Sequence, residues 1–181
     1  AWRKPCAAFS AFYEPMSRLV TVIPVYNGER FLEATLESVA SQTRRPDLVI
    51  IQDNCSTDGT HRIAKAFEKE GFEWRLTEEH VTSTENFNDA LDLAEEADVL
   101  HLLSADDLIK PEFYERLMAP LEEINGRALI YSAYDVVSED GALVEGGDLV
   151  NPFPIVPGGE PRVIPRQQFI AAQADLRTIC L

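Results

Sequence analysis

Closely spaced cysteines are missing from this chain. Cys6, Cys55 and Cys180 are odd in number, far apart and without CxxC spacing. That argues against a zinc clasp or a disulfide framework and makes a reducing cytoplasm the expected setting. Basic residues are scarce: 16 Lys and Arg stand against 31 Asp and Glu, a formal net charge of −15. Non-specific nucleic-acid binding needs the opposite balance, because Lys and Arg must displace phosphate counterions. An acidic chain can still take a phosphate-bearing ligand if a divalent cation bridges the two. No apolar run is long enough to span a bilayer. No basic amphipathic helix argues for a membrane surface, although peripheral attachment is compatible with a soluble catalytic domain. Residues 1–15 lack the long apolar stretch of a secretory signal. Met16-Ser17-Arg18 directly precedes the first apolar run, so residues 1–15 are expected to be a tag or a misassigned upstream segment. Internal repeats and low-complexity segments are absent as well.

What is there is one domain's worth of chain, 181 residues, with strand and helix signals in alternation. Val20 to Ile23 is a short apolar run. Phe31, Leu32, Leu36, Val39 and Ala40 then recur at helical spacing, with Glu29, Glu33 and Glu37 between them. Leu48 to Gln52 reads as a second strand, and Ile63, Ala64 and Phe67 as a helix stopping near Gly71. Glu73 to Leu76 predicts a short third strand. Glu85 to Ala97 predicts a helix with Phe87, Ala90, Leu91 and Ala94 on one face. Val99 to Leu103 is the next strand. Lys110-Pro111-Glu112 opens a further helix with Phe113, Leu117, Met118 and Leu121 as its stripe, and Ala128 to Tyr131 a further strand. Glu139-Asp140-Gly141 reads as a hairpin turn. This alternation predicts an α/β fold, three layers deep, with a mostly parallel sheet between helices. The core is expected over 16–145. Residues 146–181, rich in Pro and Gly at first, are expected to be an irregular loop, a helix over about 166–174 and the start of a truncated acceptor region.

Three strand signals end in polar punctuation. The first runs into Pro24-Val25-Tyr26-Asn27-Gly28, the second into Asp53-Asn54-Cys55-Ser56-Thr57-Asp58-Gly59-Thr60, the third into Ser104-Ala105-Asp106-Asp107. Ligands of open α/β sheets sit at the carboxyl ends of strands. Asp106 and Asp107 are hard oxygen ligands suited to Mg²⁺ or Mn²⁺, with room for phosphate oxygens; acidic residues also favour a helix N-terminus. Asp53 and Asn54 can meet a base and ribose, while Ser56, Thr57 or Asp58 can cap the next helix. Tyr26 can stack on a base and Asn27 can cap. Asn86 reads as a cap and Asn88 as a possible ligand contact. His61, His80 and His101 have no metal-ligand spacing, and His101, inside an apolar strand, reads as a core histidine. Cys55 reads as a small packed residue, since nothing nearby supplies a base. Tyr131 and Tyr134 read as packing residues.

In this order and spacing the three motifs, together with Ser41-Gln42-Thr43 closing the first helix, resemble the family-2 glycosyltransferases of the GT-A fold. The resemblance covers roughly residues 18–135. It implies a Rossmann-like GT-A fold and an inverting, metal-assisted transfer of a sugar from a nucleotide-diphosphate donor, a UDP-sugar by preference, to an acceptor hydroxyl. It implies a nucleotide pocket made by Pro24, Val25, Tyr26, Asn27, Asp53, Asn54, Asn88, Ser104 and Ala105, with Asp106 and Asp107 holding Mn²⁺ or Mg²⁺. Ser104 replaces the first Asp of the family's DxD-type motif. Asn54 stands where the family has the Asp that meets the base.

The family's catalytic base lies well downstream and is expected beyond Leu181. Asp135, Asp140, Asp148 and Asp175 are candidates by residue type alone. Membership of such a family allows a polysaccharide, a lipid-linked or a protein acceptor. Three alternatives stay open at this point: a sugar-phosphate nucleotidyltransferase, disfavoured because its glycine-rich phosphate loop is missing; a non-catalytic nucleotide- or glycan-binding module; and a phosphate-acceptor domain using Asp53 or Asp106.

Overall fold

The computed structural model describes residues 17–93, 97–119, 121, 132, 135–138 and 142. The chain divides into two compact units, Ala1–Glu115 and Arg116–Leu181. In the first unit the order is β1 (Leu19–Val25), α1 (Leu32–Ala40), β2 (Leu48–Asp53), α2 (Thr60–Phe67), a 3₁₀ turn (Glu68–Glu70), β3 (Glu73–Leu76), α3 (Ser83–Asp92) and β4 (Val99–Leu102). The helix α4 (Phe113–Met118) begins at its end. In the second unit, the Ser138 N–H and hydroxyl both donate to the Ala142 carbonyl.

The four strands are parallel, in the order β3-β2-β1-β4. Every residue of β1 is buried. A strand covered on both faces needs no polar alternation, which is why Leu19 to Val25 is apolar on both sides apart from Thr21. On one face Val20, Val22 and Ile50 pack with Ala90 of α3. The odd-numbered Thr21 points the other way, and its hydroxyl meets the Tyr114 hydroxyl at 2.7 Å. Helices thus flank the sheet on both faces, as the α/β pattern predicts.

Pro24 sits inside this central strand, a place that normally rejects proline. The register explains it. The Val25 carbonyl accepts from Asn54 on the β2 side, and the Val22 carbonyl accepts from Leu103 on the β4 side. Residues 20, 22 and 24 therefore aim their backbone groups at β4, and the β1–β4 pairing stops at Val22↔Leu102. Pro24 lies just past that point, so its missing N–H breaks no ladder bond.

Chain order makes β1 the turning point. The chain leaves β1 for β2 and β3 on one side, then crosses to β4 on the other. Ligand crevices in open sheets form where such a reversal leaves the strand ends unobstructed.

Several helix boundaries differ from the sequence reading; α3 ends at Asp92, short of the expected Ala97. Phe31 precedes α1 and is 37% exposed, so it does not join the buried stripe of Leu32, Leu36 and Val39. Helix α3 starts at Ser83, not Glu85, because Thr82 caps it: the Thr82 hydroxyl accepts from the Glu85 N–H while the Glu85 carboxylate accepts from the Thr82 N–H. That phase buries Asn86 and Ala90 and leaves Leu91 49% exposed. Helix α4 starts at Phe113, with Pro111 and Glu112 in the turn before it. The readings placed on Ala94, on 128–131, on 139–141, on 146–181 and on 1–15 fall outside the described residues, as do Tyr131, Tyr134, Asp140, Asp148 and Asp175.

Candidate functional site

After β1 the chain turns sharply. Asn27 has φ +52, a left-handed conformation that Asn tolerates better than most residues. Gly28 follows where a Cβ would lie 2.5 Å from the Val25 side chain, so the close turn requires glycine. The turn is then stapled to the loop after β2. Asn27 N–H donates to the Ser56 hydroxyl at 2.9 Å, Gly28 N–H to the Thr60 hydroxyl at 2.8 Å and Glu29 N–H to Asp58 at 3.0 Å. In return the Thr57 N–H donates to the Asn27 side-chain carbonyl and the Gly59 N–H to the Glu29 carboxylate. Burial pushes the Asp58 carboxyl up, but donors from Thr60 and Glu29 outweigh it and hold it below the usual carboxylate value. Most of the polar run 55–60 thus serves to lock two loops together. Cys55, at φ +57, rests its Sγ 3.4 Å from the Thr77 carbonyl, a packed position as expected.

Asp53 and Asn54, next to each other, have different surroundings. Asp53 is fully buried: one oxygen accepts from the Ser56 N–H and the other from the Trp74 indole N–H. The structure does not bring it into the cleft wall. Asn54 does stand in that wall but is only 2% exposed. Both ends of its amide bond the backbone of Val81, Nδ2 to the carbonyl at 2.8 Å and Oδ1 to the N–H at 2.9 Å. This two-point clamp ties the loop entering α3 to the end of β2. His80, just before, places Nδ1 3.2 Å from the Asn54 carbonyl and its ring 4.3 Å from the Tyr26 ring, tilted by 39°. Deeper in, the Gln52 amide donates to the Asn86 backbone and side-chain carbonyls. Asn86 therefore anchors α3 to β2 and does not cap it.

Past β4, Ser104 to Asp107 make a turn closed by Asp107 N–H to the Ser104 carbonyl. The Thr35 hydroxyl of α1 holds the Ala105 carbonyl at 2.9 Å. Asp106 is exposed, and no described residue bonds its carboxylate. Beneath this turn, His101 Nδ1 meets the Tyr114 hydroxyl at 3.0 Å, which continues to Thr21. Burial pulls His101 down to about 4 and pushes the Tyr114 phenol up, against the lowering bond from Thr21. His101 is thus the bonded core histidine its strand position suggests.

These segments enclose a cleft of about 560 Å³, within the range of small-ligand sites. Pro24 to Gly28 form its floor. Asn54 and His80 to Ser83 form one wall, and Ser104 to Asp106 the other. Of the sequence candidates, Pro24, Val25, Tyr26, Asn27, Asn54, Ser104, Ala105 and Asp106 line it. Asp53, Asn88 and Asp107 do not. Asn88 is exposed two residues past the inward-facing Asn86, on the far side of the helix turn. Asp107 closes the turn, and its carboxyl is raised by burial and by the neighbouring Asp106 charge. Phe31, His80 to Ser83, Asn86 and Phe87 complete the lining and were not singled out as ligand contacts from sequence. Thr82-x-x-Glu85 is the signal that finds them: a capping box there puts His80 to Thr82 in the loop at a strand's end and Ser83 at the first helical position.

The donor set suits a hard cation better than a bare anion. The one charged side chain in the described lining is the Asp106 carboxylate; no Lys or Arg lines it. Among the described residues no cluster of three or more His, Cys, Asp or Glu could encage a metal. A cation held here would draw most of its ligands from a bound phosphate and water, the habit of Mg²⁺ and Mn²⁺ at phosphate sites. No described helix is long and apolar enough to cross a membrane.

The family model "Glycosyl transferase family 2" matches residues 20–156. TuaG of Bacillus subtilis (strain 168), a glycosyltransferase named for teichuronic acid biosynthesis, is 30% identical over 135 residues, covering 74% of this chain and 52% of that protein. The glycosyltransferase GlyG of Streptococcus pneumoniae serotype 4 is 26% identical over 129 residues, covering 70% of this chain and 42% of that protein. The chain thus spans about half the length of these relatives. Among solved structures, S. aureus TarS 1-349 in complex with UDP superposes with a TM-score of 0.52 at 23% identity, covering 66% of this chain and 41% of that one. That likeness establishes a shared GT-A fold.

Proposed function

Because this chain belongs to glycosyl transferase family 2, we propose that its cleft binds the nucleoside diphosphate of a sugar donor and that the protein transfers the sugar to an acceptor hydroxyl with inversion. The carrying observation is convergence: the ends of β1, β2 and β4 meet in one cleft at the point where the strand order reverses. Membership of this family sets the chain apart from the nucleotidyltransferase and phosphate-acceptor alternatives. The uridine preference rests on TarS, which was solved with UDP and with UDP-GlcNAc.

In this reading Tyr26, 49% exposed at the cleft floor, offers its ring to the base. Asn27 and Gly28 bring backbone close to the ligand. Asp106 holds the divalent cation, Mn²⁺ or Mg²⁺, with Asp107 beside it and the Ser104 hydroxyl within the same turn. The cation supplies stabilisation of the negative charge that grows on the departing diphosphate. This chain's own part is positioning. The stapled turn 27–29 fixes the floor, and the Asn54 clamp fixes the base-side wall, so the donor is oriented before reaction. Asp106 gathers charge where the described lining has no Lys or Arg. Removal of the acceptor proton needs a carboxylate on the far side of the sugar, and no residue of the described lining is assigned to it.

Titration calorimetry with UDP, with and without Mn²⁺, tests the proposal. Binding is expected only with the metal and is expected to be lost in Asp106→Ala. Metal-independent binding of equal strength, or an unchanged Asp106→Ala protein, would sink it.

A further inference from the structure

We infer that His80, through its free ring nitrogen, reads the base of the nucleotide, taking over a role that Asn54 is too buried and too engaged to perform. The inference rests on the nucleotide reading above and sharpens it. Asn54 spends both ends of its amide on Val81 and is 2% exposed. It positions the loop, and the loop presents His80.

The tautomer follows from the partner. Nδ1 of His80 lies 3.2 Å from the Asn54 backbone carbonyl. A carbonyl can only accept, so Nδ1 carries the proton and, in the neutral ring, Nε2 is left with a lone pair. No described residue bonds Nε2, and His80 is exposed in the cleft wall. Its ring is 4.3 Å from that of Tyr26, which leaves no room for a base between them. A base that meets Nε2 therefore lies on the same side of Tyr26 as His80, beyond Nε2 and in the plane of the imidazole, with its edge toward that nitrogen and against the rim of the Tyr26 ring. Nε2 then accepts from a ring N–H on that edge. Uracil and guanine carry such an N–H. Cytosine and adenine place a lone pair there, which would face the lone pair of Nε2. The cleft wall is thus built for a base with a ring N–H.

Calorimetry on the full chain in Mn²⁺ with UDP, GDP, CDP and ADP tests this. UDP or GDP is expected to bind about tenfold more tightly than CDP and ADP, the value of one well-placed hydrogen bond, and the two arms tell uracil from guanine. His80→Phe keeps an aromatic ring against Tyr26 but has no acceptor; the preference is expected to shrink to about twofold or less. His80→Gln offers an amide that can turn either end to the base. It is expected to keep the preferred nucleotide within about threefold of native affinity while CDP gains. An undiminished preference in His80→Phe, or tighter binding of CDP than of UDP and GDP by the native protein, overturns the inference and leaves the nucleotide reading intact. Failure of all four diphosphates to bind in Mn²⁺ overturns both.

Discussion

On the base-side wall of the cleft, polar side chains are spent on backbone. Asn54 grips Val81 twice, the Gln52 amide meets Asn86, and Thr82 and Glu85 cap each other's N–H groups. On the opposite wall, after β4, the Asp106 carboxylate and the Ser104 hydroxyl bond no described residue, and Asp106 is exposed. The first wall is finished before a ligand arrives. The second is left for something else to complete, and a cation with its phosphate and water ligands is what a lone exposed carboxylate can accept at little desolvation cost. The two walls should therefore fail differently. Damage to the first should appear as lost stability, and damage to the second as lost binding.

The sharpest separation comes from Asp106→Ala. With the carboxylate gone, UDP binding in Mn²⁺ is expected to fall by roughly a hundredfold. The urea midpoint should hardly move, because an exposed side chain without partners contributes at most about 0.5 kcal/mol. A large drop in the midpoint would break the comparison by showing that Asp106 supports the fold.

Asn54→Ala probes the other wall. It strands the Val81 N–H and carbonyl near the protein surface and leaves a small cavity at a 2% exposed site. Loss of two such bonds costs about 2–3 kcal/mol. Chemical denaturation measures that, and hydrogen exchange at residues 80–83 should speed up before the rest of the domain. Unchanged exchange there would show that the loop holds itself.

Beneath the second wall, the buried chain His101–Tyr114–Thr21 makes a pH test. Burial holds His101 down to about 4, against 6.5 for a free histidine. The unfolded chain therefore binds a proton first as pH falls, and the fold loses stability from about pH 6.5 down to about 4, where the loss levels off. Roughly 2 kcal/mol is expected after allowing for the ring's partial exposure. His101→Gln, which keeps a hydrogen-bonding group, should flatten the fall by that amount relative to native protein. Parallel curves would show that the carboxylates carry the whole acid response.

The sheet was legible because parallel strands packed between helices are mostly apolar: Leu19–Val25, Leu48–Asp53 and Val99–Leu102 sit where the apolar runs do, and even short Glu73–Leu76 was visible. The order of three polar strand ends also pointed to a shared site. Less legible was the division of labour among those polar residues. Asp53 and Asn54 are neighbours of similar shape, yet one is buried under Ser56 and Trp74 and the other clamps Val81. Which backbone groups need a partner depends on the fold, and residue type does not reveal it. His80 was hidden for the same reason: its role arises from the loop that Asn54 holds, not from spacing along the chain.

The smallest predicted effect is at the Thr82 cap. Thr82→Ala removes the acceptor of the Glu85 N–H and frees the Glu85 carboxylate, whose bonds from Thr82 hold its pKa below the ordinary value. A lost cap costs about 1 kcal/mol, less than the Asn54 clamp because the helix end is exposed and water can replace the hydroxyl. Thr82→Ser should restore nearly all of it. The side chain lies in the cleft wall, so the same variant also asks whether this wall senses ligand only through its shape. If UDP binding falls by no more than about threefold while stability drops by the cap's roughly 1 kcal/mol, the base-side wall is a scaffold with His80 as its reading edge. A tenfold loss of binding would instead make the Thr82 hydroxyl itself a ligand contact and erase the contrast between the walls.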